Sequence, residues 1–526
     1  MDPGSSLVAL RRGWRWRVSR FYKREAGGAF LPVRIMQYDT HLVATLFLLV
    51  GCASPPAADP DVDRGTRSAN GHAAGASSSQ DPGLPPGSPV WGEGDGRSYL
   101  VPAGDILGFQ VLLNLYDREF EPGNDYDTDI DSIRNNLHST WVIDTDPFAM
   151  NQLLHPYTGA LYHGFARSAG LGYWQSLGYD FVGSAIWEVA GETLPPSFND
   201  QISTSFGGSF LGEGLFRMSN ALLGNGRTKP GFFAELGAAI ISPSTGFNRF
   251  AFGDRFDGVY PSNDPATFVR VGLGVRHNSL NTDLGGLSKI QDNEAVVDAV
   301  MDYGIPGKTS YQYERPFDYF HFEMTAASAD SALPESVMIQ GLLLGARYET
   351  GPSCRGVVGL YGSYDYIAPE VFCVSSTALS LGTTGQLRFT EEIALQGSCL
   401  AGVGWAAAGT IADAEVDRTY HYGLCPQSLV ALRLIGGKVA MLDFTTRAYY
   451  LDGTGSNDRA GHETILRARA ALVVRIYGHH ALAVQYVAST RDANYADPVL
   501  ADTFQSVGSV SLLWTLLGAS QFGIVE

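Results

Sequence analysis

From about residue 266 to the C-terminus, apolar and polar side chains alternate with a period of two. Between Leu466 and Ile476 every second residue is apolar, and three of the intervening positions hold arginine. Such alternation is typical of strands with one apolar and one polar face. Twelve candidate strands follow this pattern, near 266–278, 294–305, 314–328, 336–350, 354–368, 371–390, 392–410, 420–437, 438–453, 462–478, 479–492 and 503–518.

The lengths of the strands and of their connections favour a membrane barrel. A strand needs about 9–11 residues to cross a bilayer at a tilt, and the candidates reach that length. An even strand number, with short turns alternating with long loops, is the pattern of bacterial outer-membrane barrels. We therefore predict an antiparallel transmembrane β-barrel of about twelve strands over 256–526. A soluble periplasmic β-sandwich would alternate in the same way and is the alternative. The short turns lie near 351, 391, 436–438 and 478–479, and the long loops at 411–419, 454–461 and 493–502.

Residues 98–255 carry a helical pattern instead. The segment 173–190 is apolar and contains small residues that permit close packing, and Ser197 begins a capping-box pattern at a helix start. The predicted fold class is therefore α+β, with an N-terminal helical domain followed by the barrel. Because twelve strands enclose limited space, we expect the helices to plug the lumen or to lie beneath it, on the periplasmic side.

The N-terminal 97 residues have the pattern of a leader and a tether. An apolar run at 42–50 ends in Gly51-Cys52 and fits a signal-peptide core, being shorter than the roughly 20 residues of a membrane span. Its end resembles a bacterial lipobox, and Ala53 after the cysteine implies sorting to the outer membrane. We predict a signal peptide at 1–51, lipidation of Cys52, and a disordered linker over 52–97, rich in Pro, Gly and Ser. A start near Met36 would give a leader of more ordinary length.

The charge of the chain and its cysteine spacing limit which partners and ligands are expected. Charged residues make up 17% of the chain and the formal net charge is −18. An acidic chain repels nucleic acid, so we predict no nucleic-acid partner. The predicted partners are outer-membrane lipid and the barrel-assembly and lipoprotein-sorting machinery, with an unknown ligand. The other cysteines lack CxxC spacing, which disfavours zinc, and an oxidising compartment favours one or two disulfides among them. They are Cys354, Cys373, Cys399 and Cys425.

The segment from Trp141 to Asn220 resembles a bacterial family known as domain of unknown function 3943. Pro316–Phe320 also resembles an element of that family. The resemblance implies a location in the cell envelope and brings no established activity. The matching residues are Trp141, Asp144, Asp146, Phe148, Asn151, Gln152, His155, Pro156, Tyr157, Gly159, Tyr162, Ala166, Arg167, Ser168, Trp174, Ser176, Gly183, Ser184, Trp187, Glu188, Glu192, Pro196, Ser197, Asn199, Asp200, Thr204, Gly207, Gly208, Gly212, Glu213 and Arg217.

The helical block holds a dense set of polar residues that could form a functional site. A structural interpretation assigns them to helix caps and buried ion pairs. A second interpretation is a ligand or metal site built from His155 and carboxylates, and a third is a hydrolase with a general base beside Ser197. Neither a Gly-x-Ser-x-Gly nor a His-Glu-x-x-His motif occurs, so the structural interpretation leads, and we predict no metal and no cofactor. The candidates are Asn151, His155, Arg167, Glu188, Glu192, Ser197, Asp200 and Glu213.

A second set of charged residues lies at the inward-facing positions of the predicted strands. It either stiffens a filled barrel with ladders of ion pairs or forms an arginine-rich lumen that attracts anions. The leading prediction is a structural or transport-related outer-membrane barrel lipoprotein that is not an enzyme. The alternative is a lipid- or envelope-modifying hydrolase that uses His155. The lumen set is His321, Glu323, Arg388, Arg433, Asp443, Arg447, Arg467, Arg469 and Arg475.

Overall fold

The structure is a computed structural model that describes most of the chain from residue 97 onward. The predicted signal peptide, Cys52 and nearly all of the linker lie outside the described residues, as do most of the three long loops. The described residues are 97–121, 123–144, 146–224, 230–252, 264–282, 288–328, 334–411, 420–453, 461–495, 502–518 and 522–525.

Twelve antiparallel strands close into one barrel, with β1 paired to β12. The predicted strands are confirmed, and the soluble sandwich is wrong because the sheet closes on itself. Long alternating segments joined by tight glycine turns fix this register. The strands are β1 Thr267–Thr282, β2 Ser288–Tyr303, β3 Phe320–Ala327, β4 Ser336–Thr350, β5 Cys354–Ile367, β6 Phe372–Arg388, β7 Ile393–Thr410, β8 Tyr420–Gly436, β9 Ala440–Asp452, β10 Gly461–Tyr477, β11 His480–Tyr495 and β12 Thr503–Leu517.

Helices fill the region before the barrel. Pro156 begins a helix instead of breaking one, because the first turn needs no proline N–H. Two π-helical turns, Met150–Leu154 and Ser203–Gly207, lead into the third and sixth helices. Among the described helices, none is long and apolar enough to cross a membrane. The helices are α1 Leu100–Phe120, α2 Ile130–His138, α3 His155–Ser168, α4 Tyr173–Ala190, α5 Phe198–Ile202, α6 Gly208–Leu223, α7 Phe232–Ile241 and α8 Pro243–Phe252.

Ion pairs cross the interior of the barrel. Arg433 on β8 reaches Asp302 on β2 at 2.6 Å and also pairs with Asp443 at 2.7 Å. Arg469 on β10 reaches Asp298 on β2 at 3.0 Å. Strands β8 and β2 lie on opposite sides of the barrel, so these contacts fill the lumen with charged side chains.

Two further segments close the end of the barrel that carries the short turns. The β2–β3 connection enters the lumen, where the Tyr319 hydroxyl lies 3.3 Å from Ser398 Oγ. The C-terminal residues enter beside it. The side chain of Gln386 donates to the Val525 carbonyl at 2.8 Å, and that of Gln396 donates to the Gly523 carbonyl at 2.6 Å.

The helical domain packs against the outside of the barrel. Tyr422 on β8 accepts a hydrogen bond from Asn199 at 2.8 Å, and the ring of Tyr366 on β5 stacks on Phe148 at 5.6 Å. Both tyrosines face outward, because the residues beside them face inward: Asp365 pairs with Arg447 at 3.0 Å, and His421 lies 3.4 Å from Glu463. The prediction that the helices plug the lumen or lie beneath the barrel is therefore wrong. Apolar outward residues pack against protein as well as against lipid, so alternation could not place the helices.

We predict that Arg433→Gln lowers the free energy of unfolding by about 3–5 kcal/mol, because it leaves Asp302 and Asp443 buried without their shared cation. Lys438→Gln is the matched control, since this exposed residue lies in the β8–β9 turn. Equilibrium urea unfolding of the purified protein in detergent measures both variants. Equal losses for the two variants would show that the cross-lumen pairs do not stabilise the barrel.

Candidate functional site

The structure divides the eight candidate residues of the helical block between two buried clusters. Arg167 and Glu213 belong to the first, named here the charge cluster. The other six belong to the second, named here the carboxylate cluster. The charge cluster consists of His163, Arg167, Asp180, Glu213, Arg217 and Asp318. The carboxylate cluster consists of Asp144, Asn151, His155, Glu188, Glu192, Ser197, Asn199 and Asp200.

Glu213 on α6 is the centre of the charge cluster. Its two carboxylate oxygens accept from Arg167 Nε at 2.7 Å and from Arg217 Nε at 2.8 Å. His163 on α3 lies between Glu213 and Asp180, with Nε2 at 3.1 Å from the first and Nδ1 at 2.7 Å from the second. Three helices, α3, α4 and α6, are therefore joined through one imidazole and one carboxylate.

Close backbone contact brings these groups together. A Cβ atom on Gly212 would lie 2.7 Å from His163 Cβ, and one on Gly208 would lie 2.6 Å from the Cα atom of Gly159. Only glycine allows α3 and α6 to approach this closely. The short distance between the helices places His163 and Arg167 directly over Glu213.

Arg217 connects the charge cluster to the barrel. Its Nη1 lies 3.1 Å from Asp318 Oδ1 and its Nη2 donates to the Pro316 carbonyl at 2.8 Å. Both acceptors belong to the β2–β3 connection. The guanidinium also lies over the ring of Tyr303, 5.6 Å from its centroid. The helices and the lumenal segment are thus held by the same side chain.

Opposite charges meet throughout the cluster. The carboxylates of Glu213, Asp180 and Asp318 face the guanidinium groups of Arg167 and Arg217 and the imidazole of His163. The cluster is therefore held together by opposite charges at a site shielded from water.

The geometry of the charge cluster suits a structural role. Both ring nitrogens of His163 are within hydrogen-bonding distance of carboxylates, so neither is free to take a proton from a substrate. His163, Asp180 and Glu213 have no solvent-accessible side-chain surface. These contacts fix the helices to one another and to the barrel.

The carboxylate cluster is held by amides and phenols. Asn199 Oδ1 accepts from the Asp144 backbone N–H at 2.7 Å, and its amide donates to Tyr422 on β8 at 2.8 Å. Asn151 donates to Asp144 Oδ2 at 2.9 Å and to Tyr420 at 3.0 Å. This cluster therefore lies where the helical domain meets the loop end of β8.

Three carboxyl groups of this cluster have raised pKa values. Burial raises the pKa of Glu188 and of Asp200 far above the usual range, and neighbouring carboxylates raise both further. Burial also raises the pKa of Glu192 to about 7. Glu188 accepts from the Ser197 backbone N–H at 2.8 Å and Glu192 from Trp187 Nε1 at 2.7 Å. Glu188 thus holds the loop before α5, and Glu192 holds a tryptophan side chain of α4.

His155 and Ser197 do not meet as a base and a nucleophile. Ser197 caps α5 by accepting from the Asp200 backbone N–H at 3.2 Å, and it donates to Asn199 at 2.9 Å. His155 Nδ1 lies 3.2 Å from Thr204 Oγ1, and burial lowers the pKa of His155. Among the described residues, no group of three or more His, Cys, Asp and Glu side chains is arranged to hold a metal ion.

The predicted lumen residues form interior ladders. His321 lies 2.7 Å from Asp302, and Glu323 lies 3.1 Å from Arg469. The interior cavity beside them measures about 60 Å³, enough for a few water molecules. The other predicted lumen residues also lie at inward-facing positions of their strands. Arg433, Asp443, Arg447 and Arg467 are buried within the ladders, whereas Arg388 and Arg475 are half-buried near strand ends.

Four members of the charge cluster were missed as candidates. They are His163, Asp180, Arg217 and Asp318. The spacing His163/Arg167 and Glu213/Arg217, four residues apart on α3 and α6, places each pair on one helix face and was the available signal. Asp318 had no local signal, because the contact depends on how the barrel meets the helices.

The four described cysteines are free thiols, which differs from the expected disulfides. In the strand register Cys399 lies opposite Thr383 and Val430, and Cys373 lies opposite Gly409. Cys425 lies opposite Gly404, and Cys354 lies opposite Thr350 and Leu387. No cysteine therefore faces another across these strand pairs.

We predict that Glu213→Gln lowers the free energy of unfolding by about 3–5 kcal/mol, because it leaves Arg167 and Arg217 buried without their shared carboxylate. Glu235→Gln is the matched control. Glu235 on α7 is partly exposed and pairs with Arg249, so its replacement should lower the free energy of unfolding by only roughly 0–1 kcal/mol. Urea unfolding monitored by tryptophan fluorescence measures both. A Glu213 variant as stable as the control would refute the structural role of the charge cluster.

Solved structures similar to this chain include outer-membrane barrels. An anion-selective porin from Comamonas acidovorans is 10% identical, with 48% of this chain and 99% of that chain covered and a TM-score of 0.21. The translocator domain of autotransporter NalP from Neisseria meningitidis is 13% identical, with coverage of 48% and 89% and a TM-score of 0.23. The NanC porin is 6% identical, with coverage of 46% and 98% and a TM-score of 0.23. The barrel assignment rests on the strand pairing of this chain itself.

The sequence comparisons concern the helical block. No curated protein matches the chain. Residues 140–244 match the family described as "Domain of unknown function (DUF3943)". This range contains most of both buried clusters, from Asp144 to Arg217. Over these residues, the helical domain is similar to the DUF3943 family.

Proposed function

We propose that this protein is an outer-membrane β-barrel lipoprotein with a filled lumen, in which the helical domain stiffens and covers part of the barrel wall. The observation that carries this proposal is the reversed polarity of the barrel. Charged side chains lie inside it in ion pairs, and apolar side chains lie outside it. A water-soluble barrel buries its apolar face, whereas a membrane barrel presents that face to lipid.

The uncovered outer wall supports a membrane location. Val403, Leu432, Leu472 and Val510 lie on four different strands and are exposed at outward positions. Contiguous apolar surface of this extent is rare on soluble monomers. A closed barrel also satisfies its backbone hydrogen bonds without water, as a hydrocarbon environment requires.

The proposed orientation follows from the chain termini. The short turns and the C-terminal residues lie at one end of the barrel, which we assign to the periplasm. The start of α1 is tied to the end of α3, where the Ser98 backbone N–H donates to the Ala169 carbonyl at 2.9 Å. Asn248 on α8 donates to Ser168 Oγ at the same end, at 2.7 Å. A tether from a lipidated Cys52 would then start in the periplasmic leaflet.

The filled lumen favours a structural role over conduction. Within the described residues, the ion pairs, the β2–β3 connection and the C-terminal residues occupy the interior, and the cavity beside His321, of about 60 Å³, is far smaller than a solute path. A transport-related role would require these segments to move. The hydrolase alternative gains no support, because Ser197 accepts from the Asp200 backbone N–H whereas His155 lies against Thr204.

We predict that Cys52→Ala leaves the protein in the outer-membrane fraction, because the barrel and not the lipid holds it there. On a gel, the unheated protein should migrate differently from the boiled protein, as a barrel that resists detergent does. The wild-type chain is the control. Recovery of the variant in the soluble fraction without a mobility shift would contradict the membrane barrel.

We predict that the purified wild-type protein gives no stable conductance steps in a planar bilayer, because its lumen is filled. A general porin reconstituted at the same protein-to-lipid ratio is the positive control. Steady open steps at low voltage would reject the structural role and support the transport-related one.

A further inference from the structure

We propose that the helical domain is itself embedded in the lipid hydrocarbon, as a half-sheath on the barrel wall, with its free helix faces in contact with acyl chains. This inference rests on the proposed membrane location of the barrel. It differs from the sequence-based expectation of a helical domain on the periplasmic side. The partner surface is therefore lipid, and not a second protein.

The helices cover the middle of the wall and not only its rim. The start of α6 lies against β5 and β6, where a Cβ atom on Gly207 would lie 2.9 Å from Thr377 Oγ1. Further along α6, a Cβ atom on Gly214 would collide with Ile339 on β4. Arg217 then reaches the short-turn end at Asp318. Helix α6 thus follows the wall from near the loop end to the turn end, at the depth where lipid would otherwise lie.

The free faces of the outer helices are apolar. On α1, Leu112 is 69% exposed, and on α4, Val182 is 57% exposed. Phe233 on α7 is 74% exposed and Phe250 on α8 is 90% exposed. Large aromatic side chains with so much free surface are unfavourable in water, because water disfavours contact with apolar surface. The same surface is favourable in hydrocarbon.

The free faces of the helices and the uncovered barrel wall are both apolar. Where the helices end, outward residues such as Leu379 and Val403 are exposed in the same way. From Leu100 to Tyr116 the exposed side chains of α1 are apolar, and this stretch extends over about 26 Å, within the hydrocarbon thickness of about 30 Å; the charged residues Asp117, Arg118 and Glu119 follow at its end. One apolar belt therefore runs from the bare strands onto the helices, and that continuity identifies lipid as the occupant.

The ends of the sheath are marked by amphipathic aromatic residues. Tyr99 and Trp174 are exposed at the end where α1 and α4 begin. Trp141 is exposed near the opposite end, before the carboxylate cluster. Tyr and Trp favour the two interfaces of a bilayer. At that end α2 is held against the end of α4, where Asn136 donates to the Glu192 carbonyl at 2.9 Å, and α2 carries the charged residues Asp131 and Arg134.

The test is the quenching of a fluorescent label by lipids with brominated acyl chains. In a background of Cys52→Ser, Cys354→Ser and Cys399→Ser, a bimane label is placed on the full chain at Val111→Cys, in the middle of α1. Val510→Cys, in the middle of β12, is the matched barrel-wall control. Arg134→Cys on α2 is the polar control. The labelled proteins are compared in vesicles of brominated and ordinary phosphatidylcholine.

We expect quenching at position 111 to equal that at position 510 and to be severalfold stronger than at position 134. Quenching at 510 without quenching at 111 would overturn the sheath and leave the membrane barrel standing, whether water or another protein covers the helix. Absence of quenching at both positions would overturn the sheath and the membrane barrel together. Strong quenching at all three positions would also overturn it, because the helices would then lie flat in the interface or be unfolded.

Discussion

Arg433 extends across the barrel to Asp302 and also binds Asp443 on the neighbouring strand, and much of the structure depends on interactions of this type. A charge removed from water is costly unless an opposite charge meets it. The strands satisfy this requirement by pointing their charged residues inward, where partners on opposite strands are close. The outer face then has to be apolar, and it can be stable only against lipid or against other apolar surfaces of the chain.

The helical domain obeys the same constraint at a smaller scale. Glu213 would be unstable in an apolar bundle by itself, but Arg167, Arg217 and His163 surround it. Arg217 also pairs with Asp318 in the β2–β3 connection, so the balance of opposite charges includes a residue outside the helices. The charge cluster thus joins the helices to the segment that closes the lumen, and a displacement of either part would leave a buried charge without its partner.

The strands could be predicted from the sequence because their period is local. Leu466 and Arg467 lie on opposite faces of β10, and this alternation is the same whether lipid or protein contacts the outer face of the barrel. The position of the helices could not be predicted in this way. Tyr366 and Phe320 are apolar at outward positions, and such residues suit contact with lipid and contact with a helix equally. The family resemblance identified the polar residues of the block, but the division into two clusters follows from tertiary contacts that no spacing encodes.

The two clusters also explain why small residues recur in α3 and α6. Gly159 and Gly208 let the two helices touch through their backbones, and Gly212 brings α6 against His163, so that Glu213 lies fully buried between the helices. Dry, close packing strengthens the ion pairs, and the ion pairs hold the close packing in place. Such a bundle does not need water on its outer face, so apolar residues such as Phe250 can occupy that face. A helical domain with charges inside and apolar residues outside repeats the polarity of the barrel that it covers.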